Sequence, residues 1–275
     1  MNPSPTFNLI GPGRLGQTLA RLWQDAGLLQ TVGVLGRDRQ RVQAACDFIG
    51  AGSGRDWDTL TPAAITLLAT PDDALAATAR QLADSAALPA GAIVFHCSGA
   101  QSSALLAPLH ARGALVASIH PLKSFAAPER AIRDFAGTCC ACEGDAAALT
   151  ALAPLFDAIG ARRFAVAADA KLLYHAGAVL ACNHLVALMD AALRCLEQAG
   201  LPRNEAWPAL RPLIDGTLAN IDHGGTQAAL TGPVARGDMA TVERETVATR
   251  AAGAEVSDAY HLLSRLALQL RQRAG

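Results

Sequence analysis

Four side chains in this sequence have the chemistry to move a proton or to orient a small molecule. His120 follows the apolar run Val116–Ile119, and Lys171, His175 and Asn183 interrupt an otherwise apolar helical stretch. At roughly 100° per residue, the last three span about 120° of a helix surface and can face one cleft. Imidazole, ammonium and amide groups protonate or orient substrate oxygens, so we treat these four as candidate catalytic residues.

A structural interpretation of the same residues stays open. His120 would then fix the turn before Pro121, and Lys171 would lie in solvent at the start of its helix. Asn183 would bond a neighbouring helix. Because single polar residues in apolar helices often have such roles, the functional hypothesis applies to the group more than to any one member.

A glycine motif near the N-terminus predicts a phosphate-binding loop. The segment Gly11-Pro12-Gly13-Arg14-Leu15-Gly16 fits G-x-G-x-x-G and lies between a strand-like run and a helix-like one. The first glycine allows a tight turn, the second lets the backbone approach a pyrophosphate, and the third lets helix and strand pack closely. The helix N-terminus adds amide donors, so the segment predicts a dinucleotide site, with a purely structural turn as the alternative.

The end of the second predicted strand favours NADP over NAD. NAD sites usually carry an acidic residue there, which accepts the ribose 2′-hydroxyl. This sequence has Gly36 followed by Arg37, with Arg39 and Arg41 nearby. A guanidinium group suits a 2′-phosphate, so Arg37 is a candidate cofactor residue. A solvated basic helix start is the alternative, and Asp38 leaves NAD open.

Two further strand ends supply candidate cofactor residues. Thr70 and Pro71 follow the run Ile65–Ala69, and Ser98 and Gly99 follow Ile93–Cys97. Ligands of open parallel sheets bind outside the carboxyl ends of the strands, where these residues would lie.

The composition indicates a globular protein and argues against nucleic acid as a partner. The chain has 275 residues, 51% hydrophobic and 17% charged, with 23 basic against 24 acidic residues. Seven cysteines lack metal-site spacing, so we predict no metal. The stretch Ala176–Leu193 is interrupted by polar residues and predicts a buried helix, not a membrane span. No signal peptide is evident, and we expect a soluble cytoplasmic protein.

The order of apolar runs predicts an α/β fold: an N-terminal Rossmann domain with a doubly wound parallel sheet, followed by an all-helical domain. We place the domains at residues 1–165 and 166–275. The predicted strands are Phe7–Ile10, Thr31–Leu35, Ile65–Ala69, Ile93–Cys97, Leu115–Ile119 and Gly137–Cys142. The predicted helices are Leu15–Ala26, Gln40–Ile49, Asp73–Ser85, Ser103–Arg112, Ala170–Ala199, Glu205–Asn220, Met239–Gly253 and Glu255–Arg273.

Together these segments resemble a group of bacterial proteins in which a Rossmann-like domain precedes a helical domain of unknown function. The resemblance is carried by the glycine loop, by Thr70–Ala74, by Ser118–Leu122, by Lys171–His175 with Asn183, and by Leu230–Asp238. The group is similar to pyrroline-5-carboxylate reductase, ketopantoate reductase, prephenate dehydrogenase and the deazaflavin-dependent NADP oxidoreductases. It implies a nicotinamide cofactor, a homodimer formed through a helical domain of 6-phosphogluconate dehydrogenase type, and an active site between the domains.

Two departures from those relatives affect the site. Ketopantoate and β-hydroxyacid enzymes have an asparagine four residues after the helix lysine, where this chain has His175. A histidine expected after Val242-Glu243-Arg244 is replaced by Glu245.

We therefore expect an NADP-dependent oxidoreductase that transfers hydride between the nicotinamide and a small carbonyl, imine or hydroxy compound. The chemistry belongs to the cofactor, so the protein has to supply position and one proton donor. A non-catalytic NADP-binding sensor or partner-binding module is the alternative, since a fold does not fix a function.

Overall fold

A computed structural model describes residues 3–272 of the chain. The chain divides into two compact units, with the boundary between Leu180 and Ala181. The first unit thus extends beyond residue 165, the domain boundary predicted from sequence. That boundary stays a prediction, because a division into compact units describes packing and not domain limits.

The first unit is built on an eight-stranded sheet of order β3-β2-β1-β4-β5-β6-β7-β8. Its pairs are parallel except β6 and β7, which are antiparallel. The strands are β1 (Thr6–Ile10), β2 (Gln30–Leu35), β3 (Ser53–Arg55), β4 (Ile65–Leu68), β5 (Ile93–His96), β6 (Leu115–Pro121), β7 (Cys139–Gly144) and β8 (Arg162–Ala165). This order reverses between β1 and β4, which is the doubly wound arrangement, so the predicted fold class is confirmed.

Sequence analysis missed β3 and β8. Their sequences, Ser53-Gly54-Arg55 and Arg162-Arg163-Phe164-Ala165, contain little apolar material, and both strands lie at the edges of the sheet. An edge strand buries less surface than a central one and needs no apolar run. By contrast, all four residues of β4 are buried, as expected for a strand that helices cover on both faces.

Helices and short turns connect the strands of the first unit. The helices are α1 (Arg14–Asp25), α2 (Arg39–Ile49), α3 (Asp72–Asp84), α4 (Ala107–His110), α5 (Pro128–Arg133), α6 (Ala146–Ala158) and α7 (Lys171–Ala181). The predicted helix Ser103–Arg112 is divided into a 3₁₀ turn, Ser103–Leu106, followed by α4. Pro108 lies at the start of α4, where its missing N–H leaves no helical bond unmade.

Trp23 of α1 anchors the core beneath β1 and β5. Its side chain is fully buried, and Nε1 donates a hydrogen bond to the carbonyl of Leu155 over 2.9 Å. The rings of Phe7, Phe95 and Phe156 pack edge-on against it at centroid distances of 5.3–6.2 Å. This cluster fixes α1, and with it the glycine loop, against the sheet.

Within residues 181–272, the second unit consists of helices joined by short turns. Its helices are α8 (Asn183–Gln198), α9 (Arg203–Ala228), α10 (Gly232–Arg236), α11 (Met239–Ala248) and α12 (Ala254–Gln272), with a 3₁₀ turn at Thr249–Ala252. The single helix predicted over Ala170–Ala199 is wrong in one respect, because Cys182 separates α7 from α8 with ψ at −70°. The helix predicted over Glu205–Asn220 runs on to Ala228 and bends at Gly225, whose φ is +73°.

The prediction that the apolar stretch Ala176–Leu193 is buried is also wrong for the single chain. The segment Ala168–Gln198 is long and apolar enough to cross a membrane by length and composition alone, and only 6% of its most apolar window is buried. Leu173 of α7 is 79% exposed and Val186 of α8 is 69% exposed. The chain alone therefore leaves a large apolar surface uncovered.

Candidate functional site

The glycine loop follows β1 and approaches the end of β4 so closely that only glycine fits at its first position. Gly11 has a φ of +88°, and a Cβ there would lie 2.7 Å from the backbone nitrogen of Thr70. A Cβ at Gly16 would lie 2.8 Å from Cδ1 of Leu9, so helix and strand touch at this point. These contacts agree with the turn and packing roles expected of the first and third glycines of the motif.

The second glycine leaves room for an anion at the N-terminus of α1. A Cβ at Gly13 would have only the Ala69 carbonyl oxygen near it, at 4.0 Å. Gly13 precedes a helix of 12 residues that has no capping side chain and no acidic residue in its first turn. The first N–H groups of a helix lack internal partners, so this end fits a phosphate group. Arg14 is exposed and Leu15 half-buried beside it.

The end of β2 has no space for the acid that NAD sites carry. A Cβ at Gly36 would lie 2.9 Å from Cδ of Pro12 and 2.9 Å from Cγ2 of Val42. The carboxylate of Asp38 caps α2, accepting from the backbone N–H groups of Gln40 and Arg41 over 2.9 and 3.2 Å. The carboxylate that would accept a hydrogen bond from the ribose of NAD is therefore already used to cap α2.

The basic residues after β2 differ in their partners. Arg39 pairs with Asp56 at 3.0 Å, and Arg41 lies 3.6 Å from Asp38. Arg37 is exposed and has no ion pair within residues 3–272. It is therefore the guanidinium group of this cluster with the most hydrogen-bonding capacity left for a ligand.

The ends of β4 and β5 are joined by a side-chain hydrogen bond. Ser98 Oγ donates to Oδ2 of Asp72 over 2.9 Å, and Pro71 immediately precedes α3. The hydroxyl oxygen of Thr70 is buried without a hydrogen-bond partner in the described part of the chain. A buried hydroxyl without a partner at this edge fits a position that a ligand covers.

His96 orders the loop that follows β5. The N–H of Ser98 donates to its Nδ1, and its Nε2 lies 3.2 Å from the carbonyl of Ser102. Burial lowers the pKa of His96 to about 4, so the ring is neutral at physiological pH. Its one ring proton is then on Nε2, which donates to Ser102.

Four aromatic and glycine residues meet where the loop after β5 approaches β6 and α7. Nδ1 of His120 lies 2.9 Å from the Tyr174 hydroxyl, and the His120 and His175 rings pack edge-on with centroids 5.6 Å apart. A Cβ at Gly99 would lie 2.3 Å from Nδ1 of His175 and 2.9 Å from Nε2 of His120. The fold therefore places Gly99, His120 and His175 in contact, with Tyr174 behind His120.

His120 and Tyr174, which are hydrogen-bonded to each other, are both uncharged at neutral pH. Burial, with smaller contributions from the neighbouring His175 and Lys171, lowers the pKa of His120 to about 4. Burial raises the pKa of Tyr174 to about 12, and the thiols of β7 add to that effect. The phenol therefore keeps its proton, and the imidazole does not gain a second one.

Lys171 is fully buried, so the interpretation that it lies in solvent is wrong. Its ammonium group donates to the carbonyl of Ser98 over 2.9 Å and to the hydroxyl of Ser118. It lies 3.8 Å from Oε1 of Glu143, which is also buried. Burial lowers the pKa of Lys171, and the negative charge of Glu143 opposes that shift.

The helix residues predicted to share one cleft are not all brought together. Lys171 and His175 belong to the first unit and contact the loop after β5. Asn183 is exposed, begins α8 in the second unit and makes no side-chain hydrogen bond within the described residues. The break at Cys182 also removes the continuous helix on which the predicted arc depended.

Sequence reasoning missed three residues of this cluster. Ser118 lies two residues before His120 in β6, Tyr174 directly precedes His175, and Glu143 is the acidic residue of the small apolar strand β7. A charged residue beside an apolar strand is the signal that could have identified Glu143. Ser118 and Tyr174 gave no signal beyond their neighbours.

The segment Gly232–Asp238 of the second unit forms a short helix followed by a helix cap. Gly232 and Pro233 begin α10. Oδ1 of Asp238 accepts from the N–H of Thr241 over 3.1 Å at the start of α11. Glu245, found where a histidine was expected, accepts a hydrogen bond from Tyr260.

This geometry defines a Rossmann-type nucleotide domain followed by a helical unit, and family comparisons agree with it. Residues 6–121 match a family described as a Rossmann-like domain, and residues 138–267 match a domain of unknown function, DUF2520. The chain therefore combines a Rossmann-like domain with a C-terminal DUF2520 domain. No curated protein sequence matches it significantly.

Solved structures share the architecture over nearly the whole chain. Protein TM1727 from Thermotoga maritima is 25% identical, with a TM-score of 0.75 and coverage of 98% of this chain and 99% of that one. A candidate NADP oxidoreductase, BF3122 from Bacteroides fragilis, is 22% identical, with a TM-score of 0.78 and coverage of 97% and 99%. An imine reductase from Pseudomonas sp. is 17% identical, with a TM-score of 0.70 and coverage of 97% and 94%.

Gly99→Ala should disturb both imidazoles, because the new methyl group needs the space that the rings occupy. The His120 ring would lose part of its burial, and its pKa should rise from about 4 toward the ordinary value of 6.5. An NMR titration of the ring C–H signals from about pH 3 to about pH 8 measures this shift, because that range includes both pKa values.

Gly216→Ala is the matched control, since nothing lies within 4 Å of a Cβ at that position of α9. It should leave the His120 titration unchanged. A His120 signal that still titrates near pH 4 in Gly99→Ala would contradict the close contact.

Proposed function

We propose that this protein is an NADP-dependent oxidoreductase that reduces, or forms by oxidation, a small carbonyl or imine compound. The observation that carries the proposal is the N-terminus of α1, which has no side-chain cap and lies beside Gly36 and the exposed Arg37. Arg37 has no ion pair among the residues that the structure describes. An uncapped helix end suits a pyrophosphate, the absence of space for an acid at Gly36 disfavours NAD, and Arg37 suits a 2′-phosphate.

Structural neighbours support a nicotinamide cofactor. They include a reductive aminase from Aspergillus terreus in complex with NADPH and ethyl levulinate, and an imine reductase variant from Myxococcus stipitatus in complex with NAD⁺. Their identities to this chain are 17% and 16%, so the likeness concerns the fold, and the cofactor and substrate class are inferred for this chain. Bound NADPH would supply the hydride.

The residues that would hold the cofactor lie along the carboxyl ends of four strands. The amides that follow Gly13 would bind the pyrophosphate, and Arg37 would bind the 2′-phosphate. Thr70 and Pro71 would line the ribose, and Ser98 and Gly99 would lie beside the nicotinamide. Gly13 and Gly99 are glycines, Arg37 and Pro71 are exposed, and Thr70 carries a buried hydroxyl without a partner in the described part of the chain. Ser98 is half-buried, and its hydroxyl is bonded to Asp72.

His120 is the best candidate for the group that hydrogen-bonds the reacting heteroatom. Tyr174 keeps its proton at neutral pH, and its hydroxyl can donate to Nδ1 of His120. The ring proton of His120 is then on Nε2, beside Gly99, where it can donate to a carbonyl oxygen or imine nitrogen. His175 packs against the same glycine and would orient the substrate.

Lys171 is a weaker candidate for that role than the sequence suggested. Its ammonium group already has two serine oxygens and a carboxylate around it, and it is fully buried. A donor whose hydrogen bonds are committed cannot approach a substrate without breaking them.

The cofactor assignment predicts that Arg37→Ala weakens NADPH binding roughly 10- to 100-fold, the cost of one hydrogen-bonded charge. NADH binding should change by less than about twofold, because NADH lacks the 2′-phosphate. Fluorescence or calorimetric titration of the purified protein with both nucleotides measures the preference.

Arg39→Ala is the matched control, because it removes the same charge from a guanidinium group that Asp56 already binds. NADPH affinity should fall far less than in Arg37→Ala. Equal losses of NADPH affinity in the two variants would show that affinity depends on net charge and not on a specific contact of Arg37. Failure of the wild-type protein to bind either nucleotide would overturn the proposed function.

The catalytic assignment predicts that His120→Phe lowers turnover by about 10² to 10⁴ while NADPH affinity is retained. Tyr174→Phe removes only the hydroxyl group and should cost about tenfold. NADPH oxidation is followed with cyclohexanone and allylamine, the pair bound in a neighbouring reductive aminase structure, and with ethyl levulinate. His110→Phe, which changes an exposed histidine of the first unit, is the control.

Because the pKa of His120 is about 4, its titration should cause no loss of activity as the pH falls from 8 toward 5. Tight NADPH binding without turnover of any carbonyl or imine would favour the alternative function, a non-catalytic NADP-binding sensor.

We also propose that the apolar surface is covered by a second copy of the chain. Val186, Leu213 and Leu262 of the second unit are 69%, 66% and 55% exposed, which is costly for a protein that stays a monomer in water. Light scattering should give the mass of a dimer, and Val186→Glu with Leu213→Glu should give a monomer. A monomeric wild-type mass, or partition into lipid vesicles, would contradict this proposal.

A further inference from the structure

Two opposite charges are buried side by side in the first unit. Lys171 is 0% exposed and Glu143 is 8% exposed, and Nζ of Lys171 lies 3.8 Å from Oε1 of Glu143. This distance is too long for a good hydrogen bond, so the two groups attract each other mainly as charges. Their hydrogen bonds are directed to serines instead.

Lys171 holds the beginning of the segment Ser98–Ser103. Its ammonium group donates to the carbonyl of Ser98, which follows β5, and to the hydroxyl of Ser118 in β6. Ser118 and His120 point to the same face of β6, because side chains alternate along a strand. One cation thus connects α7, the loop after β5 and the strand that carries His120.

Glu143 holds the end of the same segment. Its Oε1 accepts from the backbone N–H of Ser103 over 2.7 Å, and its Oε2 accepts from the Ser103 hydroxyl over 2.6 Å. Glu143 also lies directly opposite Ser118 in the antiparallel pair of β6 and β7. The carboxylate and the ammonium group therefore hold the two ends of a segment that contains Gly99.

We propose that Lys171 and Glu143 are positioning residues that fix the segment Ser98–Ser103 and thereby hold Gly99 against the imidazoles of His120 and His175. The role rests on the proposed function, in which His120 hydrogen-bonds the reacting heteroatom. Neither residue needs to touch the substrate or the cofactor to act in this way.

Stability alone is a poor explanation for such a pair. Removing two charges from water costs free energy that their attraction often does not repay, and apolar residues of similar volume frequently stabilise a core more. A pair with four hydrogen bonds to three serines does, however, impose one geometry on the backbone that those serines belong to. Geometry at the Gly99 contact is what the candidate site requires, because a displacement of about 1 Å can cost 10²-fold in rate.

The test compares Lys171→Met, Glu143→Met and the double variant. Each single variant leaves one buried charge without its partner and should unfold at a lower temperature than the wild type. The double variant contains neither charge and should regain most of the lost thermal stability. Hydrogen exchange of peptides covering Ser98–Ser103 should nevertheless be at least about tenfold faster in the double variant, since both ends of the segment are released.

Turnover separates positioning from folding. With the cyclohexanone and allylamine probe, the double variant should lose about 100-fold in kcat while its KM for NADPH stays within about threefold. Arg163→Gln is the control, because it breaks the pair of Arg163 and Asp157 at the surface of the same unit. It should change neither the exchange of Ser98–Ser103 nor the turnover.

Wild-type protection of Ser98–Ser103 in the double variant would overturn the proposal. Full turnover in a double variant whose segment exchanges rapidly would overturn it as well. Should the wild-type protein turn over no probe, the proposed function fails on that result, and the exchange comparison still decides whether the pair fixes the segment.

Discussion

Close approach of backbone at the carboxyl ends of the strands is the constraint on which the rest of this site depends. At Gly11, Gly36 and Gly99, a Cβ would lie 2.7 Å from Thr70, 2.9 Å from Pro12 and 2.3 Å from His175, respectively. Each glycine lets a loop from one strand lie directly against a loop or helix that belongs to another. These contacts set the positions of the loops and side chains of the candidate site, and a residue larger than glycine would not permit them.

The close packing of these loops also determines the protonation of the buried side chains at the site. The loop after β5 excludes water from His96, His120 and Lys171, and burial is the main cause of the lowered pKa of each. The two histidines respond by staying neutral, so they act as directional donors and acceptors. Lys171 has Glu143 beside it, which favours the charged form. Lys171 and Glu143 thus form a charged pair beside the neutral rings of His96 and His120.

Sequence patterns predicted the parts of the fold that repeat along the chain. Apolar runs of four to six residues identified six strands, and the glycine spacing identified the loop, because parallel strands and phosphate loops leave local signals. The antiparallel direction of β7 left no such signal, since direction is decided by contacts distant in sequence. Glu143 and Lys171 were separated by a helix and a strand, so their pairing was not readable, and the interpretation of Lys171 as a solvated residue followed from helix position alone. The break at Cys182 was missed because no proline or glycine marks it.

Helix α7 reverses the usual distribution of polar and apolar residues. Lys171, Tyr174 and His175 are at positions i, i+3 and i+4 and face the loop after β5 and strand β6. Leu172 and Leu173, on the other side of the helix, are 69% and 79% exposed. A surface helix normally buries its apolar stripe and leaves its polar one in water. Here the polar stripe is committed to the loop after β5, so rotation of the helix to bury its leucines would break the hydrogen bonds of Lys171 and Tyr174. The exposed leucines of α7 are therefore a consequence of the hydrogen bonds that Lys171 and Tyr174 make on its opposite face.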